Sequence, residues 1–356
     1  ASAPAPTIHA ARAVQLRIRD LLNEVSGANA PPTAKVPASA GEGQDVTTRR
    51  IEPVSFQRFD ADFDGFAADL GGSFARYGFA VIADHPLEQA RIEAATAAAK
   101  AFFALPDAVK RKYVAGVGGQ RGYTPFGVET AKDAQHFDLK EFWHMGRDLP
   151  AGHPFRTLMP DNVWPGEVPQ FHSEIAWLFG ALDAMGRKVL EAIAVYLKLD
   201  RHFFDTTVDQ GNSILRLLHY PPVPQDGPNI RAGAHEDINV ITLLLGAEEA
   251  GLEVLEKDGG WLAINPSPGA LVCNIGDMLQ RLTNRVLPST THRVVNPAPE
   301  RRGFPRYSTP FFLHFNPDYE IRTLPGCITP EHPDQGWAPI TADAFLMERL
   351  REIKLL

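Results

Sequence analysis

His235 and Asp237, with only Glu236 between them, put an imidazole and a carboxylate at positions i and i+2. In an extended strand such positions project from one face, so both side chains are placed to bind a single metal ion. An apolar, β-branched run over 238–245 follows and stops at Gly246, as a buried strand would. A metal held by the pair would then sit at the end of a rigid sheet element. A three-letter pattern is common by chance, so the remaining ligands decide its meaning.

His292, in Thr290-Thr291-His292-Arg293-Val294-Val295, stands 55 positions after Asp237 with several strands between. In a β-barrel that separation is enough for the two strands to face each other across the interior. Two histidines and one carboxylate on one side of Fe(II) leave the opposite positions open, as O2 chemistry requires. A closed tetrahedral zinc site would want a fourth ligand, commonly Cys, and none is suitably spaced. Arg306-Tyr307-Ser308 comes 14 residues after His292, about one strand, a turn and a strand back. Arg306 and Ser308 share a strand face, so a guanidinium fork and a hydroxyl can grip one carboxylate together. Taken alone, an Arg beside a Ser is ordinary surface chemistry.

These residues need elements to hold them. Val14, Ile18, Leu21, Leu22 and Val25 fall on one helical face, and an Ala-, Pro- and Gly-rich stretch over 28–48 reads as a linker, so residues 1–50 form an N-terminal extension. Phe63, Phe66, Leu70, Phe74 and Tyr77 predict a helix that leads into the short strand Gly78-Phe79-Ala80-Val81-Ile82. An Ala-rich helix after Pro86 runs to Phe103, a short one covers 107–113, and 171–199 is the longest helical stretch, its apolar stripe a core face. From Ser213 on, short apolar runs between Gly, Pro, Asn and Asp turns predict a sandwich or closed barrel, closed by a helix over 341–354. The glycines between Ala115 and Arg147 miss the G-x-G-x-x-G spacing of a dinucleotide loop, and the region reads as a loop and hairpin. Phe126, His136, Phe142, Trp143 and His144 are candidate pocket residues there, although a half-buried strand uses the same residue types.

Composition limits the partners. A hydrophobic fraction of 44% and a charged fraction of 22% are those of an ordinary globular protein able to bury its own core. A net charge of −8 argues against nucleic acid and anionic membrane surfaces, which leaves a small molecule as the expected partner. Cys273 and Cys327 give no disulfide framework and fit a reducing compartment. With no run of membrane-spanning length and no secretory pattern, the cytoplasm is the expected location.

Together, His235-x-Asp237, His292 followed by Arg293-Val294, Arg306-x-Ser308 and Asn274-Ile275-Gly276-Asp277 resemble the isopenicillin N synthase-like branch of the Fe(II)/2-oxoglutarate-dependent oxygenases. Gly78-Phe79, the helix after His85-Pro86, and Tyr220-Pro221-Pro222 extend the likeness to about residues 51–350. The resemblance implies a mainly β fold with flanking helices and a double-stranded β-helix, or jelly-roll, core. It divides the chain into a helical region over 51–205 packed on the barrel and the oxygenase core over 206–356. It further implies that His235, Asp237 and His292 hold Fe(II), that Arg306 and Ser308 bind the distal carboxylate of 2-oxoglutarate, and that Tyr220 contacts this cosubstrate. Tyr220 has an equal alternative role in stiffening a Pro-rich turn, and Leu218 stands where related enzymes often carry Asn. The implied reaction uses O2, releases succinate and CO2 and by default hydroxylates a substrate. The alternatives are a ring-closing oxidase that does not use 2-oxoglutarate, in which the Arg-x-Ser pair binds the substrate's own carboxylate, and a non-catalytic jelly-roll binding protein. A zinc hydrolase fits less well, since Glu236, the one carboxylate at hand as a base, should point away from the ligands. Substrate specificity is expected in the loop over 115–147, in Asn239, His219 and Phe312, and in the C-terminal helix.

Overall fold

The computed structural model describes residues 50–115, 120–128, 138–223, 230–245 and 250–352. The helix and linker expected before residue 50, the stop at Gly246, and His136 lie outside them. The strands in chain order are β1 (Pro53–Ser55), β2 (Phe79–Ala83), β3 (Val114–Ala115), β4 (Arg121–Thr124), β5 (Glu141–Gly146) and β6 (Ile214–Tyr220). There follow β7 (Ala232–His235), β8 (Ile241–Leu245), β9 (Leu252–Leu255), β10 (Trp261–Ala263), β11 (Leu271–Ile275), β12 (His292–Val294) and β13 (Arg306–Leu313).

Among the described residues these strands make a nine-stranded sheet, ordered β1-β2-β11-β8-β13-β6-β5-β4-β3, and a four-stranded sheet, ordered β10-β9-β12-β7. From β6 to β13 the chain passes repeatedly from one sheet to the other, and neighbouring strands there are antiparallel, the jelly-roll arrangement that the sequence implied. The residues before 205 supply β1 to β5 to the large sheet as well as helices.

Two expectations about strands change. The run over 238–245 is not one strand continuous with the His-x-Asp pair: β7 ends at His235, residues 236–240 cross between sheets, and β8 begins at Ile241 in the other sheet. An apolar run shows burial but not which sheet the chain occupies, and a crossing through the core is as apolar as a strand. His292 does not face its partner across the barrel either. It pairs directly with His235 in the antiparallel neighbours β12 and β7.

The helices pack on the outer face of the large sheet. The helix Phe171–Tyr196 buries Ile175, Leu178, Leu182, Met185, Val189 and Ile193, the apolar stripe read from its period. It ends three residues short of the expected Leu199 because Lys198 adopts a left-handed φ of +61°. The Lys198 and Leu199 amides then return to the Val195 and Ala194 carbonyls, a Schellman closure made without glycine. The helix Phe63–Tyr77 starts at Asp62, whose side chain accepts from the Gly65 amide at 3.1 Å, and stops at Gly78. Gly78 has φ +70°, and a Cβ there would lie 2.6 Å from the Pro288 carbonyl, so turn geometry and close packing both require glycine. This turn aims β2 beside β11 and sets Phe79 against the His292 ring at 5.4 Å.

Candidate active site

His235 ends β7 and His292 begins β12, and their register brings the two rings to 4.4 Å between centroids. The Nδ1 of His235 meets the Gly233 carbonyl at 2.7 Å and that of His292 meets the Thr290 carbonyl at 3.2 Å. Each ring therefore carries its proton on Nδ1 and presents the Nε2 lone pair inward. Asp237, two residues beyond β7, lies with Oδ1 at 4.0 Å from the His235 Nε2 and Oδ2 at 3.9 Å from the His292 Nε2. Ligand atoms of all three residues fall within 4.8 Å of one another, the donor set of a facial two-histidine, one-carboxylate metal site.

The carboxylate is held by the large sheet. Its Oδ2 accepts from the Thr242 hydroxyl at 2.5 Å and from the Asn274 amide at 2.8 Å. Asn239 donates in turn to the Thr242 oxygen at 2.9 Å, which orients the hydroxyl toward Asp237. Burial alone would raise the Asp237 carboxyl, but His292, His235, Asn274 and Thr242 together hold it below the usual carboxylate range. Burial, aided by His292, pushes His235 down to about 4, so the ring is neutral at physiological pH. The crossing backbone is fixed too. The Asp277 amide donates to the Asp237 carbonyl at 2.7 Å and the Gly276 amide to Val240 at 2.9 Å. A Cβ at Gly276 would stand 2.2 Å from the Asn239 carbonyl, so only glycine allows this approach. The Asp277 carboxylate, raised to about 6 by burial, pairs with Arg349 of the C-terminal helix at 2.9 Å.

Thr242 and Asn274 define the inner face of the nine-stranded sheet, and register extends it. Thr242 pairs with Phe312 on β13, so Arg306 and Ser308, at even spacing from Phe312, share that face. The Arg306 Nη1 donates to the Ser308 hydroxyl at 3.0 Å, and Tyr220, paired with Arg306, lies under the guanidinium at 5.1 Å from ring centroid to Cζ. All three are buried, with Arg306 3% exposed, so this is not a surface Arg beside a Ser.

The other candidates divide by face. Phe142, His144 and Phe312 face inward, whereas Trp143 and His219 turn outward. His219 stacks on Tyr307 at 4.7 Å and hydrogen-bonds Glu141 at 2.7 Å, part of a buried network with Lys110. Phe126 is 41% exposed, and Asn239 supports Thr242 from behind. Glu236 is exposed and accepts from the Thr291 hydroxyl at 2.9 Å, directed away from Asp237 as expected, although it lies in the crossing segment and not in a strand. The sequence reading missed His314, buried two residues beyond Phe312 on the same face, with Nδ1 on the Phe312 carbonyl at 3.1 Å. Strand alternation past Phe312 was the signal for it.

Comparison with known proteins agrees with this geometry. The family model of the 2OG-Fe(II) oxygenase superfamily matches residues 211–315, and that of the N-terminal region of the non-haem dioxygenases in morphine synthesis matches 51–167. The 2-oxoglutarate-Fe(II) type oxidoreductase hxnY of Emericella nidulans is 34% identical over 282 residues, 75% of this chain and 78% of that protein. A crystal structure of a 2OG-Fe(II) oxygenase family protein from Caulobacter crescentus is 67% identical, covers 85% of this chain and 99% of its own, and superposes with a TM-score of 0.81. Full-length Neurospora crassa T7H in complex with alpha-KG is 30% identical, covers 85% and 95%, and gives a TM-score of 0.75. Named relatives, family models and fold agree, and the chain belongs to the 2-oxoglutarate–Fe(II) oxygenase superfamily as a dioxygenase that uses Fe(II), 2-oxoglutarate and O2.

Proposed function

We propose that His235, Asp237 and His292 bind Fe(II), that Arg306 and Ser308 take the distal carboxylate of 2-oxoglutarate beside Tyr220, and that the enzyme hydroxylates a small-molecule substrate, releasing succinate and CO2. The observation that carries this reading is the convergence of three donor atoms within 4.8 Å on the sheet face that also bears the buried Arg306–Ser308 pair. Bound Fe(II) would supply activation of O2 and oxidation of a substrate C–H bond, with 2-oxoglutarate as the electron source.

The chain's own residues position and shield. His235 and His292 offer Nε2 because their Nδ1 protons are tied to backbone carbonyls. Thr242 and Asn274 keep Asp237 ionised and directed inward. The Arg306 fork matches a carboxylate in shape as well as charge, and Tyr220 stiffens it from below. Phe79 against His292, and Phe312 beside Thr242, set apolar rings next to the proposed ligand positions. The Neurospora T7H, solved with alpha-KG and with thymine, supports a small molecule as the substrate class. Among the described residues no helix is long and apolar enough to cross a membrane, and we assign the enzyme to the cytoplasm on its two free, buried cysteines.

The test is Fe(II)-dependent formation of succinate from 2-oxoglutarate by the full chain. It should vanish in Asp237→Ala and His292→Ala. Succinate formation that survives either change would overturn the ligand assignment.

A further inference from the structure

Arg306 is the first residue of β13, Tyr220 the last of β6 and Glu141 the first of β5, so the proposed cosubstrate grip stands where three strands end together. β13 pairs with β8 only from Thr309 onward, and among the described residues Arg306 and Ser308 depend on β6 alone for strand pairing. Strand ends fray more readily than strand interiors. A guanidinium and a hydroxyl that are to meet one carboxylate need those ends held still beforehand.

The hold lies on the outer face. Glu141, His219 and Tyr307 are registered neighbours across β5, β6 and β13, in one row that alternates with the inward Tyr220, Arg306 and Ser308. His219 stacks on Tyr307 with centroids 4.7 Å and planes 13° apart, and its Nδ1 donates to the Glu141 carboxylate at 2.7 Å. The second Glu141 oxygen accepts from the Lys110 Nζ at 2.7 Å and from the Tyr123 hydroxyl. The helix Gln89–Phe103 covers the stack, with Phe103 at 5.4 Å from the His219 ring and the Lys100 Nζ at 5.1 Å from that of Tyr307. Burial alone would raise the Glu141 carboxyl, but His219, Lys110 and Tyr123 hold it below the usual carboxylate range, so it remains an acceptor.

Further along β6 and β13 the same face is apolar, with Leu215, Leu217, Phe311 and Leu313 against the helices. A buried ion pair gives little net stability over apolar side chains of similar size, and what it adds is one defined arrangement of its partners. Here the partners are the ends of the strands that carry the grip.

We propose that His219, bound to Glu141 and stacked on Tyr307, is a positioning residue for cosubstrate binding: from the outer face it clamps the strand ends that present Arg306, Ser308 and Tyr220 on the inner one. This rests on the assignment of Arg306 and Ser308 to 2-oxoglutarate above.

The experiment measures Fe(II) affinity without cosubstrate and 2-oxoglutarate affinity with Fe(II) bound, both by anaerobic equilibrium dialysis of the full chain, and backbone hydrogen exchange on the Fe(II)-loaded protein. His219→Ala removes the hydrogen bond and the stack together, His219→Gln keeps a donor for Glu141, and His219→Phe keeps a ring on Tyr307. His219→Ala should weaken 2-oxoglutarate binding by about 10-fold, because only molecules with paired strand ends are competent to bind. His219→Gln and His219→Phe, each retaining one of the two contacts, should weaken it by about 3-fold. Fe(II) affinity should stay within about 2-fold, less than one lost hydrogen bond to a metal ligand would cause, since the proposed ligands lie on β7, β12 and the crossing segment. Exchange over 219–220 and 306–308 should quicken in the variants and return to the wild-type rate at saturating 2-oxoglutarate. Should His219→Ala not fold, His219→Gln and His219→Phe carry the same comparison. The proposal is overturned if the folded variants bind 2-oxoglutarate as the wild type does, if Fe(II) affinity falls in parallel, or if exchange quickens throughout the sheet. The underlying cosubstrate assignment fails on a separate readout, 2-oxoglutarate affinity that survives Arg306→Ala.

Discussion

The two faces of the nine-stranded sheet are built from the same strands and do opposite work. On β6, Leu215 and Leu217 point outward into the helical layer and are almost wholly buried, while Arg216, Leu218 and Tyr220 point inward. On β13 the outward Phe311 and Leu313 are inaccessible, while Arg306, Ser308 and Phe312 face the site. In most half-covered antiparallel sheets the polar face meets solvent. Here the inner face, which sets Arg306, Ser308, Thr242 and Asn274 among the apolar Phe79, Phe142 and Leu218, meets a second, smaller sheet that carries His235 and His292, so its buried polar groups mark the proposed reaction space. On the proposed reading, the outer face holds the fold together and the inner face holds the reactants.

If that division holds, inner-face changes cost function with little stability, and outer-face changes cost stability with little function. The largest effect belongs to Asp237→Ala, which removes a proposed metal ligand and leaves Thr242 and Asn274 without their acceptor. Iron binding and succinate formation should fall below detection. Arg306→Ala should follow, raising the KM for 2-oxoglutarate by about 10- to 100-fold through loss of a charge-assisted carboxylate contact, read by titrating cosubstrate at saturating Fe(II). Asn274→Ala comes next. It leaves every proposed ligand in place but loosens the Asp237 carboxylate, and Fe(II) affinity should drop about 10-fold or more, as outer-shell partners of metal ligands do.

Leu217→Ala tests the other side. Its neighbour Arg216 faces the site, yet Leu217 itself is 2% exposed in the helical core. Truncation should cost about 2–5 kcal/mol in denaturant unfolding, while succinate formation per folded molecule stays near wild type. A variant that kept its stability but lost turnover would break the assignment of faces.

Residue type and linear order were legible in the sequence; spatial neighbourhood was only partly so. Helix periods marked Phe63–Tyr77 and Phe171–Tyr196, because burial of a stripe repeats every turn. His235, Asp237, His292, Arg306 and Ser308 marked the candidate site through their joint resemblance to a known family, since the His-x-Asp pair and the Arg-x-Ser pair are each common by chance. Strand pairing was not legible, since register depends on contacts between segments far apart in the chain. His292 was expected opposite His235 and lies beside it. Thr242, His314 and Arg216 each interrupt an apolar run as a single polar residue, and such a residue reads as ordinary strand alternation until the facing sheet is known. Arg349, which ties the C-terminal helix to Asp277, is separated from it by 72 positions, beyond the reach of any local pattern.

The smallest expected effect is the most specific about geometry. Glu236 sits between two of the proposed ligands, carries the same carboxylate as Asp237, and reaches the opposite way to the Thr291 hydroxyl. In a chain free to slip by one residue, Glu236 would replace Asp237 at the metal, because register errors exchange faces. The His235–His292 pairing, the Asp277 amide on the Asp237 carbonyl and the Asn274 contact all oppose that slip. Glu236→Ala should therefore change Fe(II) affinity by less than about 2-fold and stability by less than about 1 kcal/mol, the ordinary cost of one exposed hydrogen bond. Loss of iron from Glu236→Ala comparable to that from Asp237→Ala would mean that the crossing segment places both carboxylates at the metal, and that the inner face does not have the single anchored carboxylate assigned to it.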